Sequence, residues 1–404
     1  MSLYQAEKDG DLDALVAALE RSGTETVRKR AAQLLGGFDD GAVEALIGAI
    51  RTDESAAVRA AAIDSLDAIG TDAVFAYLAT VADLEGGVGA GWAVVEEVAP
   101  LLDSSAPETR MAAASTLGHL SDPRAVPALV AGLSDTDPRV RARVARACGA
   151  LEHPRAAGPL EDRLDDDSPA VRRETARALG RIATDRALDA LLARVDDPSE
   201  TVRYVAVGAL GESARSESVA ALSGALSDPS ALVRRGAVLS ILELLSAASS
   251  RRGRAIRETV AETVSPSVDA AVLDPLVEIV ESGEGSVRKR NAAWLLGELA
   301  GEVRSRRVVD GLVGLLDDED GISAQIAVRS LVAVGGTVVE HRLLAFVLDE
   351  THDESARAKA VFALGRVGGE RTRERLDRLI ETTDSGSVRR QSFSAVAKLE
   401  RSDT

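Results

Sequence analysis

VRKRAAQLLG (27–36), VRARVARACG (140–149), VRRETARALG (171–180) and VRYVAVGALG (202–211) are four versions of one ten-residue phrase. With its Val as offset zero, Arg follows at +1, a small or aliphatic residue stands at +5, Leu or Cys at +8 and Gly at +9. The slot recurs at 27, 58, 109, 140, 171, 202, 233, 287, 324, 356 and 388; at 109, 324 and 356 Thr or Ala replaces Val and the match rests on spacing. The four consecutive steps from 109 to 233 are 31 residues each, and the last two are 32. Similarity at a fixed period of this size is the mark of a repeat array. A single unit cannot bury its apolar face alone, but a stack can.

Each unit reads as two helices. RAVPALVAGL (124–133) is amphipathic, SDTDP (134–138) is a turn, and the second helix starts near the slot. Pro107, Pro138 and Pro169 sit two residues before it, where a helix lacks nothing by losing an N–H. Two steps are long, 51 residues from 58 and 54 from 233. Each excess accommodates one extra helix, placed at 72–84 and 252–264, with the Gly-rich GGVGAGW (86–92) after the first. The expectation is an all-α, right-handed α-solenoid of about eleven helix pairs with two inserted helices, continuous over residues 1–404.

Composition agrees. Hydrophobic residues make up 45% of the chain but aromatics only 2%, so the core is built from Ala, Leu and Val, which suits thin, closely stacked helical layers. Net charge is −17, and of the basic residues only Lys8, Lys29, Lys289, Lys359 and Lys398 are lysine. Such a surface disfavours non-specific adhesion to nucleic acid or anionic membrane. The lone cysteine, Cys148, allows no intrachain disulfide and fits a reducing compartment. The opening lacks the charged-then-apolar pattern of a signal peptide, and no apolar run is long enough to span a bilayer. A cytoplasmic location follows as the expectation.

With these positions laid out, the chain resembles the HEAT-repeat superfamily, in particular the short HEAT-like repeats of the phycobilisome-lyase type. The family's Asp and Arg recur six residues apart as Asp53/Arg59, Asp135/Arg141, Asp166/Arg172, Asp197/Arg203 and Asp228/Arg234, and its first-helix proline as Pro127, Pro159 and Pro275. The resemblance spans nearly the whole chain and implies the fold, but many functions share it. Scarce lysine and excess acid resemble proteins of salt-loving archaea. The opening MSLYQAEKDGD is similar to haloarchaeal chemotaxis-cluster HEAT-like proteins, which implies a link between chemotaxis signalling and the archaellum motor.

At 100° per residue, offsets 0, +1, +4, +5, +8 and +12 of the second helix form one arc and +3, +6 and +10 lie opposite. The +1 Arg falls in the buried arc and needs a partner; the Asp six residues earlier is the candidate, together with its equivalent in the next repeat. The opposite stripe should line the concave surface. It carries Arg143, Arg146, Arg177, Arg181 and Arg290 beside Val205 and Leu239, and its overall charge is positive within an acidic protein. A second basic edge comprises Arg251, Arg252 and Arg254, then Arg304, Arg306 and Arg307. Both suit an acidic protein partner.

Chemistry is not indicated. Cys148 stands where other repeats carry Leu117, Leu179 and Leu210, so it reads as core. His119, His153, His341 and His352 fall in different repeats without metal-ligand spacing. GGVGAGW follows a helix and lacks the Lys-Ser/Thr of a phosphate loop, and DDEDG (317–321) misses calcium-loop spacing. Scattered aromatics offer no platform for single-stranded nucleic acid. The function expected is therefore a non-enzymatic scaffold with no cofactor, metal or small-molecule substrate. The alternatives are a bilin-lyase-like protein-modifying enzyme and a nucleic-acid-binding HEAT-like protein.

Overall fold

A computed structural model describes residues 3–38, 40–82, 91–213, 215, 217–263, 269–282, 285–300 and 305–402. Among them every regular element is a helix. The second helices are Glu25–Leu35, Ala56–Ile69, Pro107–Leu120, Pro138–Leu151, Pro169–Ile182, Glu200–Glu212, Ala231–Ala247, Ser286–Leu299, Gly321–Val334, Glu354–Val367 and Gly386–Ser402, one for each slot. The chain is an all-α solenoid whose contacts divide it into two compact units, Met1–Ala209 and Leu210–Thr404.

Local chemistry sets the helix ends. Pro107, Pro138 and Pro169 each open a second helix, and the Asp137 side chain accepts from the Arg139 amide at 2.8 Å, satisfying an otherwise orphaned donor. Helices Pro107–Leu120, Pro138–Leu151 and Pro169–Ile182 end on left-handed Ser121, Glu152 and Ala183, 31 residues apart, so the same turn is built three times.

Both insertions are helices. Thr71–Val81 buries Val74, Phe75, Tyr77 and Leu78, and the Tyr77 hydroxyl meets Thr109 Oγ1 at 3.1 Å. Ser250–Thr263 buries Ile256 and Val260. Residues 83–84 and 264, and most of GGVGAGW (86–90), lie outside the described residues.

Successive second helices are held in contact by a missing side chain. A methyl group built on Gly149 would lie 2.7 Å from Ala178 Cα, and one on Gly180 would lie 2.6 Å from Ala209 Cβ. In the phrase this is the +9 Gly of one repeat against the +7 small residue of the next. The same pairing joins Gly36 to Ser65, Gly118 to Ala147, Gly211 to Ser240, Gly297 to Ser330 and Gly365 to Ala395. It also corrects two slots. Gly297 and Ser330 align with the others only if those slots are 288 and 323, not 287 and 324. Val287 is 50% exposed, unlike the buried Val58, Val140, Val171, Val202, Val233 and Val388, and Ser323 is fully buried. Val287 mimics the phrase and shifts that slot by one residue, and the slot at Ala324, placed by spacing, shifts by one in the other direction.

The Arg–Asp ladder is inter-repeat. The Arg172 Nε and Nη2 donate to Asp197 at 2.9 and 3.0 Å, while Nη1 donates to the Asp166 carbonyl at 2.9 Å. Thus the Asp six residues earlier contributes its backbone, and the carboxylate comes from the following repeat. Arg28 grips Asp53, Arg110 grips Asp135 and Arg141 grips Asp166 in the same two-pronged way, and Lys289 continues the ladder to Asp318 at 2.7 Å. Each Asp is fixed first by its own turn: Asp197 accepts the Ser199 amide at 2.8 Å and Asp166 the Ser168 amide at 3.0 Å. The expected Asp166/Arg172 and Asp135/Arg141 carboxylate pairs are therefore displaced by one repeat, because the +1 side chain leaves its helix toward the next turn. At both insertions the rung finds a substitute. Arg59 takes Glu108 at 2.9 Å and Arg234 takes Asp269 at 2.6 Å.

Burial pushes the Asp197 carboxyl up, but the Arg172 guanidinium and the Ser199 amide outweigh it and hold the group below its ordinary value. Asp53 is likewise lowered, chiefly by Arg28. A lowered carboxyl contributes stability that is fully present above the unfolded value, near pH 4, and is lost as pH falls through the folded value.

Arg172→Ala leaves the Asp197 carboxylate, only 1% exposed, without its cation and should cost about 3 kcal/mol; the exposed Arg181→Ala should cost less than about 0.5 kcal/mol. Thermal melting checks both, and the Arg172→Ala deficit should shrink below about pH 4 as Asp197 protonates. Separately, Gly149→Ala should lower the melting temperature because the helices must part. Gly208→Ala, with nothing within 4 Å, should gain up to about 1 kcal/mol from helix propensity alone.

Candidate functional site

In the first unit one row of the expected basic stripe turns inward. The +3 position points at the preceding second helix: Ala61, Ala112, Arg143 and Glu174 are all buried there. Arg143 is 4% exposed and was expected on the open face. It reaches back across two helices, donating to Ser115 Oγ at 2.9 Å, to Asp67 at 2.6 Å and to Asp64. Asp67 occupies the +9 position that is Gly in most other repeats. At the first insertion the close helix approach is thus replaced by a carboxylate that receives an arginine.

The neighbouring cations join the same network. Arg146 lies 3.7 Å from Asp67 and 3.3 Å from Glu174, and Arg173 and Arg177 reach Glu174 at 3.0 and 3.2 Å. Glu174 is buried; burial pushes its carboxyl up, but the Arg146 charge and hydrogen bond, with Arg177 and Arg173, bring it below its ordinary value. Arg146 and Arg177 remain half exposed, so they present N–H groups to solvent while neutralising Glu174. Arg181 is exposed, and no ion pair is found for it among the described residues. Val205 is half-buried in this unit.

The second unit differs. Leu239 is half-buried on its second helix. Arg290, with the register corrected, sits at +2 and is paired with Asp320 through Nε and Nη2 at 2.6 Å each, so it leaves the stripe. Asp320, which also caps the next helix through Ile322 and Ser323, is thereby held well below the usual carboxylate range, with Arg290 the main cause.

Farther along, Gly321–Val334, Glu354–Val367 and Gly386–Ser402 enclose an open groove of about 780 Å³. At its centre stands Phe362, 39% exposed at the same +6 position that holds Asp64, Arg146 and Arg177 in the first unit. The Arg366 guanidinium lies 3.5 Å over its ring. The sequence reading of the stripe passed over this phenyl ring, which stands among Lys359, Arg366 and Lys398. The signal was present, since large aromatics are scarce in this chain, but no periodicity singled it out.

The second basic edge is divided. Arg251, Arg252 and Arg254 are exposed on the inserted helix Ser250–Thr263 with no ion pair among the described residues. Arg306 lies 3.7 Å from Asp310, and Arg307 lies 3.3 Å from Asp274 and 3.5 Å from Glu281; Arg304 lies outside the described residues. One half of this edge is available to a partner, and the described part of the other is already neutralised.

Cys148 is buried, which pushes its thiol up to about 12, the opposite of what a nucleophile requires. His352 stacks on Phe346 at 3.8 Å and its Nδ1 lies 2.5 Å from Asp317. His119 lies 3.8 Å from Asp67. Among the described residues no three His, Cys, Asp or Glu side chains converge as a metal site, and no helix is long and apolar enough to cross a membrane.

The family description HEAT repeats matches residues 12–94, 95–173, 128–204 and 159–243, more than half of the chain. The chain is 42% identical over 400 residues to the HEAT repeat-containing taxis protein of Halobacterium salinarum, with 98% of each covered. Among solved structures, the crystal structure of an engineered protein is 22% identical with a TM-score of 0.42, covering 96% of this chain and 99% of that one. The CpcE–CpcF complex of phycocyanin lyase from Nostoc is 20% identical with a TM-score of 0.38, covering 63% and 94%. At that distance neither structure carries a functional argument. The repeated slot, its rungs and the match along most of its first unit agree: the chain belongs to the HEAT-repeat family.

Proposed function

We propose that this chain is a non-enzymatic, cytoplasmic scaffold of a taxis pathway, holding a protein partner of acidic surface on the face of its second helices and linking chemotaxis signalling to the archaellum motor. The observation that carries this reading is the 42% identity to a taxis protein across 98% of both chains. The match spans 98% of both chains, more than a shared repeat unit alone would require. A salt-loving archaeal host accords with the net charge of −17, and in concentrated salt such a surface stays hydrated and monodisperse.

The physical character of the surface supports a holding role. Half-exposed arginines such as Arg146 and Arg177 present planar donor forks suited to carboxylates, and the +6 position that holds them in the first unit holds Trp294 and Phe362, beside Arg329, in the second. At about 1 M salt long-range attraction is screened within about 3 Å, so a partner must be held by direct contact. Deleting the gene in its host should leave cells motile but unable to bias movement in a gradient, with full rescue by the intact gene. A deletion strain that migrates normally in gradients would refute the taxis role.

A further inference from the structure

The groove at 325–401 has a composition unlike its surroundings. Two cavities meet there at Phe362 and Gln391: one is lined by Arg329 and Lys359 with Asp353 and Glu354, the other by Arg366, Lys398 and Arg401, in a protein whose acidic residues outnumber its basic ones by 65 to 48. The two acids sit together at the start of Glu354–Val367, where Asp353 caps the Ser355 amide at 2.8 Å and Glu354 accepts from Ser387 at 3.3 Å. They serve helix ends, as first-turn carboxylates do. The cations Arg366, Lys398 and Arg401 line the other end. The joined surface is therefore polarised, with Phe362 shared by its charge-balanced and its basic cavity.

Phe362 is held in place. Arg366 covers one face of its ring and donates to the Phe362 carbonyl at 3.1 Å. The floor beside it is kept low by the close packing of Gly365 against Ala395, where a methyl group on Gly365 would lie 2.9 Å from the alanine Cβ. Val328, Ala358 and Ala397 extend the apolar surface to either side. A pre-positioned aromatic ring in a concave, basic setting has the form of an anchor pocket. A purely electrostatic surface would need no ring, and a purely apolar one would not gather five cations.

We propose that this groove binds an acidic amphipathic helical segment of a partner protein, seating one apolar side chain against Phe362 and its carboxylates against Lys359, Arg366 and Lys398. Helix-in-groove recognition of this kind reads an apolar stripe flanked by charge. The proposal rests on the scaffold reading above and assigns it a contact surface. It places that surface in the second unit, whereas Arg143, the most buried cation of the first-unit stripe, is occupied by Asp64, Asp67 and Ser115.

The test uses the full chain and a fluorescein-labelled peptide of about 16 residues built from Glu, Ala and helically spaced Leu, in about 1 M KCl. Binding is read by anisotropy and located by hydrogen exchange. The peptide should protect Glu354–Val367 and Gly386–Ser402, and affinity should fall at least about tenfold in Phe362→Ala and in Lys398→Glu. Both variants must keep the wild-type melting temperature, and Arg181→Glu should bind as wild type. Replacing the peptide's Leu by Ser should abolish binding. The inference is overturned if the peptide does not bind, if it binds Phe362→Ala unchanged, if the Ser peptide binds equally, or if protection falls elsewhere. Expressing Phe362→Ala in the deletion strain separates the two claims. Loss of gradient response there supports the groove, whereas intact response with a defective deletion strain leaves the scaffold standing without it.

Discussion

A carboxylate buried between two helices is tolerable only if a cation reaches it with good geometry, and this solenoid meets that demand with two-pronged arginines such as Arg28, Arg110, Arg141 and Arg172 and with Lys289 at a later rung. The Asp is first locked by its own turn, so the acceptor is rigid before the arginine arrives. The arginine is locked in turn by Nη1, which donates to the carbonyl of the residue six positions earlier in its own repeat. Each rung thus ties the turn of one repeat to the turn of the next and adds a nearest-neighbour term to a stack whose stability is otherwise a sum over units. The alternating Gly and small-residue contacts do the steric half of the same work, bringing second helices close enough for the rung to span.

The insertions show what happens when that spacing changes. Next to each one the periodic partner is absent and the arginine takes another carboxylate, Glu108 or Asp269. At the first insertion the close-approach glycine is also gone, replaced by Asp67, and Arg143 is drawn in from two helices away. Charge that a helical wheel assigns to solvent becomes internal bracing. The second unit, with Phe362 at the same offset, has an open groove instead. One repeat geometry therefore carries two kinds of surface, distinguished by what stands at +3, +6 and +9.

The fold was legible because the slot fixes a helix pair and its period, and the two long steps located the inserted helices to within a few residues. The faces were only half legible. A wheel treats a helix as having one buried side, but these second helices have three packed neighbours: their own first helix and the second helices before and after. That is why Arg143 and Glu174 are buried and why +3 is not an outward position. The ladder's direction was invisible for a related reason, since a sixfold spacing in sequence is satisfied equally by a carboxylate or by a backbone carbonyl. The slot at 287 was misread because Val287 mimics the phrase, while the packing follows Lys289 and Gly297. Phe362 went unremarked because no periodic signal distinguishes an anchor from a surface substitution.

The central claim is that the rungs join neighbouring repeats through Arg and the next Asp. A double-mutant cycle on Arg172 and Asp197, with a parallel cycle on Arg172 and Asp166, measures this directly. The ladder predicts a coupling of at least about 1 kcal/mol for Arg172 with Asp197 and less than about 0.5 kcal/mol for the Arg172 and Asp166 side chains. A larger coupling within the repeat than between repeats would contradict it.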